Sequence, residues 1–416
     1  MKKSNCKLSG GGKNCRRAVQ KGLPMRTICV VTATRAEYGL LRPVLQKMGK
    51  DPKLQLQLVV TGAHLCPWLG ETVREIEADG LPIAARLSIF QQAEEPVAQT
   101  IARTLTVFDG YFAAHRPDAV LLLGDRFEIF GVAAAAAARH LPIAHISGGD
   151  VTLGAADEYY RHCITKMAVL HFPSCADSAA RLVRMGEEPD RVFCVGGLGD
   201  ENIRTLPKMT RQELCESTGF PLDRPFALVT YHPETSADAP DPADQVKALC
   251  TAMAAIPDLF WLITGSNADA GGRICTEAMQ AFAAAHPDRA GFLQSLGLRR
   301  YLSAMQYASL VAGNSSSGVV ETPTFGVPTV NIGQRQAGRL LCANVVSCPA
   351  EAAAIERALR KALSPAFAAT ARTAQSPYNG GDTSGKICAV LRRFDFTPVK
   401  TFYDGPVPDF DPQRSI

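Results

Sequence analysis

At 416 residues the chain is too long for one ordinary hydrophobic core, so two domains are expected. It is 46% apolar and 20% charged, with a net charge of only +4, which describes a globular body with no broad basic surface for nucleic acid. No apolar run reaches the roughly 18 residues that span a bilayer, and the stretch 129–138 stops at Arg139.

Residues 1–24 (MKKSNCKLSGGGKNCRRAVQKGLP) are polar, basic and Gly-rich, and read as a disordered extension. Their lysines precede no hydrophobic stretch, so no secretory signal is expected, and Met25, directly ahead of the first strand, is an alternative start. The 13 cysteines are scattered without CxxC pairs, which leaves zinc without a ligand set. An odd count without an export signal reads as reduced thiols in the cytoplasm.

Beyond Met25 the pattern alternates. Residues 27–33 form a β-branched strand, and Leu40, Leu41, Val44, Leu45 and Met48 then recur at helical spacing. Further strands are predicted at 54–61, 119–123, 142–146, 169–172 and 192–195, separated by Ala-rich or amphipathic helices. The rhythm restarts at 226–230, 260–264, 291–293, 310–312 and 329–332. Alternating strands and helices imply parallel βαβ units. The expected architecture is therefore α/β, with two Rossmann-like, doubly wound domains facing across a cleft. Their bounds are 25–200 and 201–380, with a hinge at the glycine-rich 196–202 and a last helix near 386–393 that crosses back onto the first domain, followed by a tail to 416. The first strand–helix turn, Thr32 to Glu37, contains no glycine. Neither a GxGxxG fingerprint nor a P-loop is present, which argues against a dinucleotide cofactor and ATP-type phosphate transfer.

Charge collects where these strands end. Leu141–Ile146 runs into HISGGDVTLGAADEYYRHCITK, and Ala119–Leu123 runs into Gly124-Asp125-Arg126-Phe127-Glu128. Charged groups behind a buried strand need partners or a task, and in an open α/β sheet that position is the ligand crevice. Asp125, Asp150, Asp157, Glu158, Arg161 and His162 supply an acid–base inventory. Adjacent positions 157 and 158 point apart on a helix, so one of them enters the cleft, held by Arg161 or His162. In the second half, Gly313-Asn-Ser-Ser-Ser-Gly-Val-Val-Glu321 opens a helix with hydroxyls and backbone N–H groups suited to a diphosphate, with Glu321 placed for a ribose diol. A Ser-rich helix start is also an ordinary N-cap, and Arg335 beyond the next strand favours the phosphate reading. His232, which could contact phosphate or donate a proton, and Asn267, which could hydrogen-bond a nucleotide, end two strands of that half; Arg35 and Arg126 end strands of the first, and His64, after Thr61-Gly62, is a weaker candidate for substrate contact. From the residues alone the chain is a two-domain enzyme for a phosphorylated or nucleotide-linked ligand.

Six motifs in order, TRAEYG (34–39), GDRFE (124–128), HISGGDVTLGAADEYYRHCITKM (145–167), YHPET (231–235), GNSSSGVVE (313–321) and NIGQRQ (331–336), resemble the hydrolysing UDP-N-acetylglucosamine 2-epimerases. Non-hydrolysing relatives carry GTRPE and HVEAG at these points. The resemblance covers about residues 26–390 and implies the GT-B architecture, with UDP held by the second domain. It implies removal of the sugar C2 proton as UDP leaves C1, hydration of the resulting 2-acetamidoglucal, and release of N-acetylmannosamine for sialic-acid-type synthesis. No redox cofactor or metal is required.

By motif, Arg35, Arg126, His232, Asn267, Ser315, Ser316, Glu321 and Arg335 would contact UDP or its sugar, and the backbone near Leu296 would meet the uracil. Asp125 and Asp157 would be the principal catalytic carboxylates, with Glu158 and Arg161 in support. The expected partner is the UDP-sugar, with neither nucleic acid nor membrane, and a homo-oligomer (dimer or tetramer) is implied. One departure stands out: several hydrolysing enzymes have Glu where this chain has Ser147. Serine cannot act as the base, so Asp150 or Asp157 takes that task, or the sugar is the UDP- or GDP-linked 2,4-diacetamido-2,4,6-trideoxy type of legionaminic acid synthesis. A GT-B glycosyltransferase or a non-catalytic sensor would share the fold but not require the acidic cassette.

Overall fold

The computed structural model describes residues 25–92, 95–153, 157–234, 239–266, 271–396 and 399–413. The 1–24 extension and Asn267 lie outside them. Two six-stranded parallel sheets organise the chain. The first contains β1 (Arg26–Thr32), β2 (Leu54–Thr61), β3 (Ile83–Leu87), β4 (Ala119–Leu123), β5 (Ile143–Ile146) and β6 (Leu170–Phe172) in the order 3-2-1-4-5-6. The second contains β7 (Phe226–Thr230), β8 (Phe260–Thr264), β9 (Ala290–Leu293), β10 (Leu310–Gly313), β11 (Thr329–Ile332) and β12 (Val345–Cys348) in the order 12-11-10-7-8-9.

Counted from its own first strand, the second sheet has the same order as the first. This is the doubly wound arrangement, in which the chain reverses direction between β1 and β4 and again between β7 and β10. Helices diverge at these two reversals, leaving a crevice beyond the strand ends. The central strands are apolar along their whole length because both faces are covered: all five residues of β4, β7 and β8 are buried.

Ten strands match the predicted bounds exactly or to within one residue at either end, but two were not anticipated. β3 and β12 lie at the sheet edges, with half-buried residues, and each has a single neighbour. Conversely, 192–195 forms only one isolated bridge, His171 to Val192, instead of a strand. The glycine-rich 196–202 region, expected as a hinge, is largely helical over Leu198–Thr205. That helix is anchored to both neighbours: Asn202 Nδ2 donates to the Gly39 carbonyl at 2.8 Å, and Glu201 accepts from the Ser384 backbone N–H at 2.6 Å.

The helix Thr383–Arg393 does return to the first domain. Ile387, Cys388, Val390 and Leu391 join the core formed by Leu41, Val44, Leu45 and Met48. The tail then continues along the first domain, where Lys400 Nζ donates to the carbonyls of Thr165, Lys166 and Ala168 at 3.1, 3.0 and 2.7 Å. These carbonyls end the helix Asp157–Met167, so a cation caps its negative pole.

The turn after β10 depends on one residue. Gly313 adopts φ +134°, and a Cβ there would lie 1.9 Å from the Thr230 carbonyl oxygen. The close approach places the 314–318 turn directly over the end of β7. Gly313→Ala is expected to lower the unfolding free energy by more than about 1 kcal/mol in urea denaturation, since neither the dihedral nor the space admits a methyl group; an unchanged midpoint would contradict this reading of the turn.

Candidate active site

Both chain reversals open into one cleft. From the first domain, Glu37, Asp125, Arg126, Ser147 and Asp150 line a cavity of about 300 Å³; from the second, Ser316, Ser317, Glu321 and Arg339 close it. A neighbouring cavity of about 580 Å³ runs along the second domain, past Arg35, Thr264, Leu296, Gly297, Tyr301 and Ser315. The two share Ser316, Ser317 and Glu321.

The acidic wall is organised by one buried guanidinium. Arg161 is 1% exposed and lies one turn into the helix Asp157–Met167. Its Nε and Nη2 donate to Asp125 Oδ2 at 2.9 and 2.5 Å, and its Nη1 donates to Glu158 Oε2 at 2.7 Å and to the Asp150 carbonyl at 2.9 Å. Nη2 also donates to the Thr152 hydroxyl at 2.8 Å. A planar fork of donors can hold two carboxylates and a loop simultaneously, which an ammonium cannot do.

Glu158 is therefore committed to structure. Oε2 accepts the Thr152 N–H at 2.7 Å while Oε1 faces His162 Nε2 at 3.0 Å, and these contacts hold its carboxyl below the usual range against the opposing effect of burial. Asp157, on the preceding position, is exposed and outside the cavity wall. The predicted divergence of positions 157 and 158 occurs, but it is Glu158 that turns inward, toward Arg161. Asp150 is fixed by the hydroxyls of Ser174 and Ser178, which donate to Oδ1 at 3.1 and 2.7 Å.

His145 sets the loop that carries Asp125. It is fully buried in β5, with Nε2 2.8 Å from the Gly124 carbonyl and Nδ1 3.2 Å from the Thr165 hydroxyl. Burial pushes its pKa down to about 3, so it is neutral and donates to the Gly124 carbonyl. Two residues on, Ser147 adopts φ +63° and presents its short side chain to the cavity. A positive φ on a non-glycine residue costs energy that the surrounding contacts must supply, and such residues gather at functional sites.

Glu37 was not singled out from the sequence as a site residue. It is buried in the first turn of the helix Arg35–Met48; Oε2 accepts the Ala33 N–H at 3.3 Å, and Oε1 has no partner. Burial raises its pKa well above the usual carboxylate value, which favours the protonated form of this carboxyl at the cavity wall. The available signal was its place in TRAEYG, at the end of the first strand–helix turn.

His64 is placed differently from the sequence expectation. It is fully buried, with Nε2 3.1 Å from the Thr32 hydroxyl and Nδ1 2.8 Å from the Thr72 hydroxyl, and burial lowers its pKa to about 4. Both ring nitrogens are thus engaged inside the first domain, away from either cavity.

The other wall is a hydroxyl network. Tyr301 Oη meets Ser317 Oγ at 2.6 Å, and Ser317 meets Ser315 at 3.0 Å. The helix begun here is shorter than expected: Ser317–Val320 is one turn, and Glu321 joins it to a second turn, Thr322–Phe325. Asn314 Oδ1 accepts the His232 N–H at 2.8 Å while its Nδ2 donates to the His232 carbonyl at 2.7 Å, tying the two strand-end loops together. His232 Nδ1 lies 3.1 Å from Ser266 Oγ, and Arg335 Nη1 donates to the Asn314 carbonyl at 3.2 Å. Arg126 pairs with the buried Glu128 at 2.9 Å, and Arg35, which lines the larger cavity, pairs with Glu75 at 2.9 Å.

Residues 46–392 match the family model described as UDP-N-acetylglucosamine 2-epimerase. The chain belongs to that family. It is 36% identical over 77% of its length, and 84% of the relative's, to a protein of Campylobacter jejuni named GDP/UDP-N,N'-diacetylbacillosamine 2-epimerase (hydrolyzing). It is 35% identical over 92% of its length, and 98% of the relative's, to the polysialic acid biosynthesis protein P7 of Escherichia coli. Its fold superposes with a TM-score of 0.76 on the UDP-GlcNAc 2-epimerase of Neisseria meningitidis bound to UDP-GlcNAc, covering 88% of this chain and 99% of that one at 16% identity. Among the described residues no helix is long and apolar enough to cross a membrane.

The buried fork makes a quantitative expectation. Asp125→Asn and Arg161→Met, alone and combined, should give a coupling of at least about 1 kcal/mol in a double-mutant denaturation cycle; additive effects would show that the pair is not an energetic unit.

Proposed function

We propose that this chain is a hydrolysing 2-epimerase for a UDP-linked 2-acetamido sugar, with UDP-N-acetylglucosamine giving N-acetylmannosamine and UDP as the simplest case. The observation that carries this reading is the opposition, across one cavity, of Asp125 and Asp150 on one wall and Ser316, Ser317 and Glu321 on the other. The acids face a sugar whose diphosphate rests on the hydroxyls. In the first step a carboxylate takes the C2 proton, the C1–O bond breaks toward UDP, and a C1–C2 double bond forms. In the second, water adds to C1 and a proton reaches C2 from the opposite face.

Asp125 is the proposed base because Arg161 fixes its orientation within the cavity, and positioning is what a carbon acid demands of its base. Asp157, at the rim, is the second proposed catalytic carboxylate, and Asp150 the alternative to it. Glu37, whose burial favours the protonated form, is placed to donate a hydrogen bond or proton as the diphosphate departs. Arg126, His232 and Arg335 supply donors for the developing phosphate charge, usually the largest electrostatic contribution. Arg35 and the Leu296 backbone flank the nucleotide cavity where a base and ribose would lie.

A second reading, favoured by Ser147 and by the name of the C. jejuni relative, assigns the same reaction to a 2,4-diacetamido-2,4,6-trideoxy sugar on UDP or GDP. The assay is incubation with each UDP-sugar in heavy water followed by NMR. Deuterium at C2 and a free manno-configured sugar are expected; UDP release with neither product nor glycal contradicts the proposal. Asp125→Asn should lower kcat by about 100-fold or more with little change in UDP affinity.

Glu321 adds a pH signature. Burial raises its pKa to about 7, so the carboxylate that would accept ribose hydroxyls forms only as pH rises through that value. Affinity for UDP-glucose, whose phosphates do not titrate there, should strengthen from pH 6 to 8 in the wild type and stay flat in Glu321→Gln. A flat wild-type profile would remove Glu321 from the ribose site.

A further inference from the structure

The last described stretch of the chain, residues 399–413, forms neither helix nor strand and lies beyond residues 46–392, which match the family. It is nonetheless seated firmly on the first domain. The Tyr403 N–H donates to the Gly186 carbonyl at 3.0 Å, and the Phe402 ring lies so close to Gly186 that a Cβ there would be 2.5 Å from it. Tyr403 and Phe410 pack against the buried Leu182, Val183 and Val192. A segment without regular hydrogen bonding offsets the entropy lost on ordering only through contacts of this kind.

The acidic residues of this tail, Asp404, Asp409 and Asp411, are exposed, whereas the Lys400 side chain is turned inward and is 20% exposed. Its ammonium has four oxygens within hydrogen-bonding reach. Three are the carbonyls of Thr165, Lys166 and Ala168, at 3.1, 3.0 and 2.7 Å, and the fourth is Glu187 Oε2 at 2.6 Å. Glu187 is 1% exposed and also holds His171 Nε2 at 2.8 Å and Lys166 Nζ at 2.7 Å. A buried counter-ion and a helix end thus lock the lysine together.

Two routes of contact lead from this ammonium to Asp125. The first runs along the helix Asp157–Met167, whose C-terminal carbonyls Lys400 holds and whose Arg161 Nε donates to Asp125 Oδ2 at 2.9 Å. The second passes through Thr165, whose carbonyl accepts from Lys400 and whose hydroxyl lies 3.2 Å from His145 Nδ1. His145 Nε2 in turn holds the Gly124 carbonyl at 2.8 Å, one residue before Asp125. We propose that Lys400 is a positioning residue for Asp125, which makes the tail a working part of the catalytic wall. The inference rests on the 2-epimerase reading with Asp125 as base, and adds a remote residue to it. Without the ammonium the helix end is released, and a base displaced by about 1 Å loses much of its rate.

The test measures kcat, the isotope effect of deuterium at the sugar C2, and calorimetric UDP affinity for Lys400→Met and Lys400→Gln, each alone and combined with Asp125→Asn. The substrates are UDP-N-acetylglucosamine and UDP-2,4-diacetamido-2,4,6-trideoxyglucose. Lys400→Met should lower kcat about 10-fold and raise the isotope effect, with UDP affinity within about 3-fold of wild type. Combined with Asp125→Asn, which has already lost the base, it should lower the residual rate by less than about 2-fold. Lys400→Gln keeps an N–H donor for the helix end; its kcat should fall between wild type and the methionine variant, and it supplies the reading if the latter fails to fold. An unchanged kcat, matching losses of kcat and UDP affinity, or an undiminished loss in the Asp125→Asn background would overturn the assignment. A wild type that yields neither UDP nor solvent deuterium at C2 from either sugar, or an Asp125→Asn variant as fast as wild type, would instead overturn the 2-epimerase reading with Asp125 as base.

Discussion

A single buried cation, Arg161, sets the geometry of the acidic wall. A guanidinium taken out of water must recover its hydration from fixed partners, and here these come from the ends of two strands and from the start of its own helix. Asp125 follows β4, Asp150 and Thr152 follow β5, and Glu158 lies three residues before Arg161. Because the partners come from three different backbone segments, the ion cluster fixes how those segments stand relative to one another. His145 reinforces it through the Gly124 carbonyl, and Lys400 caps the far end of the Arg161 helix. The acid–base wall is therefore rigid from beneath, with contacts that reach to the chain's tail.

The second constraint is topological. Two sheets of identical order, 3-2-1-4-5-6 and its repeat, open their crevices toward each other. One reversal gathers acids and the other gathers hydroxyls and a close-packed turn. A nucleotide sugar has the corresponding polarity, since its diphosphate needs donors and its reacting carbons need a base. Function follows from which residues end the strands, since the strands themselves are uniformly apolar.

The central strands were legible in the sequence because burial on both faces demands unbroken apolar runs, as at 119–123, 226–230 and 260–264. β3 and β12 were not, because an edge strand with one neighbour carries exposed residues such as Arg86 and Ser347 among half-buried ones. The segment 192–195 had the composition of a strand but makes one bridge only. Among site residues, the clustering of charge after β4 and β5 was legible, while its wiring was not. Glu158 and Asp157 are neighbours in sequence, and only the structure shows that Arg161 claims the former. His64 looked like a strand-end ligand yet satisfies both nitrogens internally, whereas Glu37 and Arg339 owe their standing to burial and long-range placement that no local pattern encodes.

If the Arg161 fork exists to orient the base, loosening it must affect chemistry before binding. The most direct measurement is kcat alongside calorimetric UDP affinity for Arg161→Lys, which keeps the charge but loses the fork. The account predicts a fall in kcat of about 100-fold or more with UDP affinity within about 3-fold of wild type. Parallel losses in both, or an unchanged kcat, would contradict it.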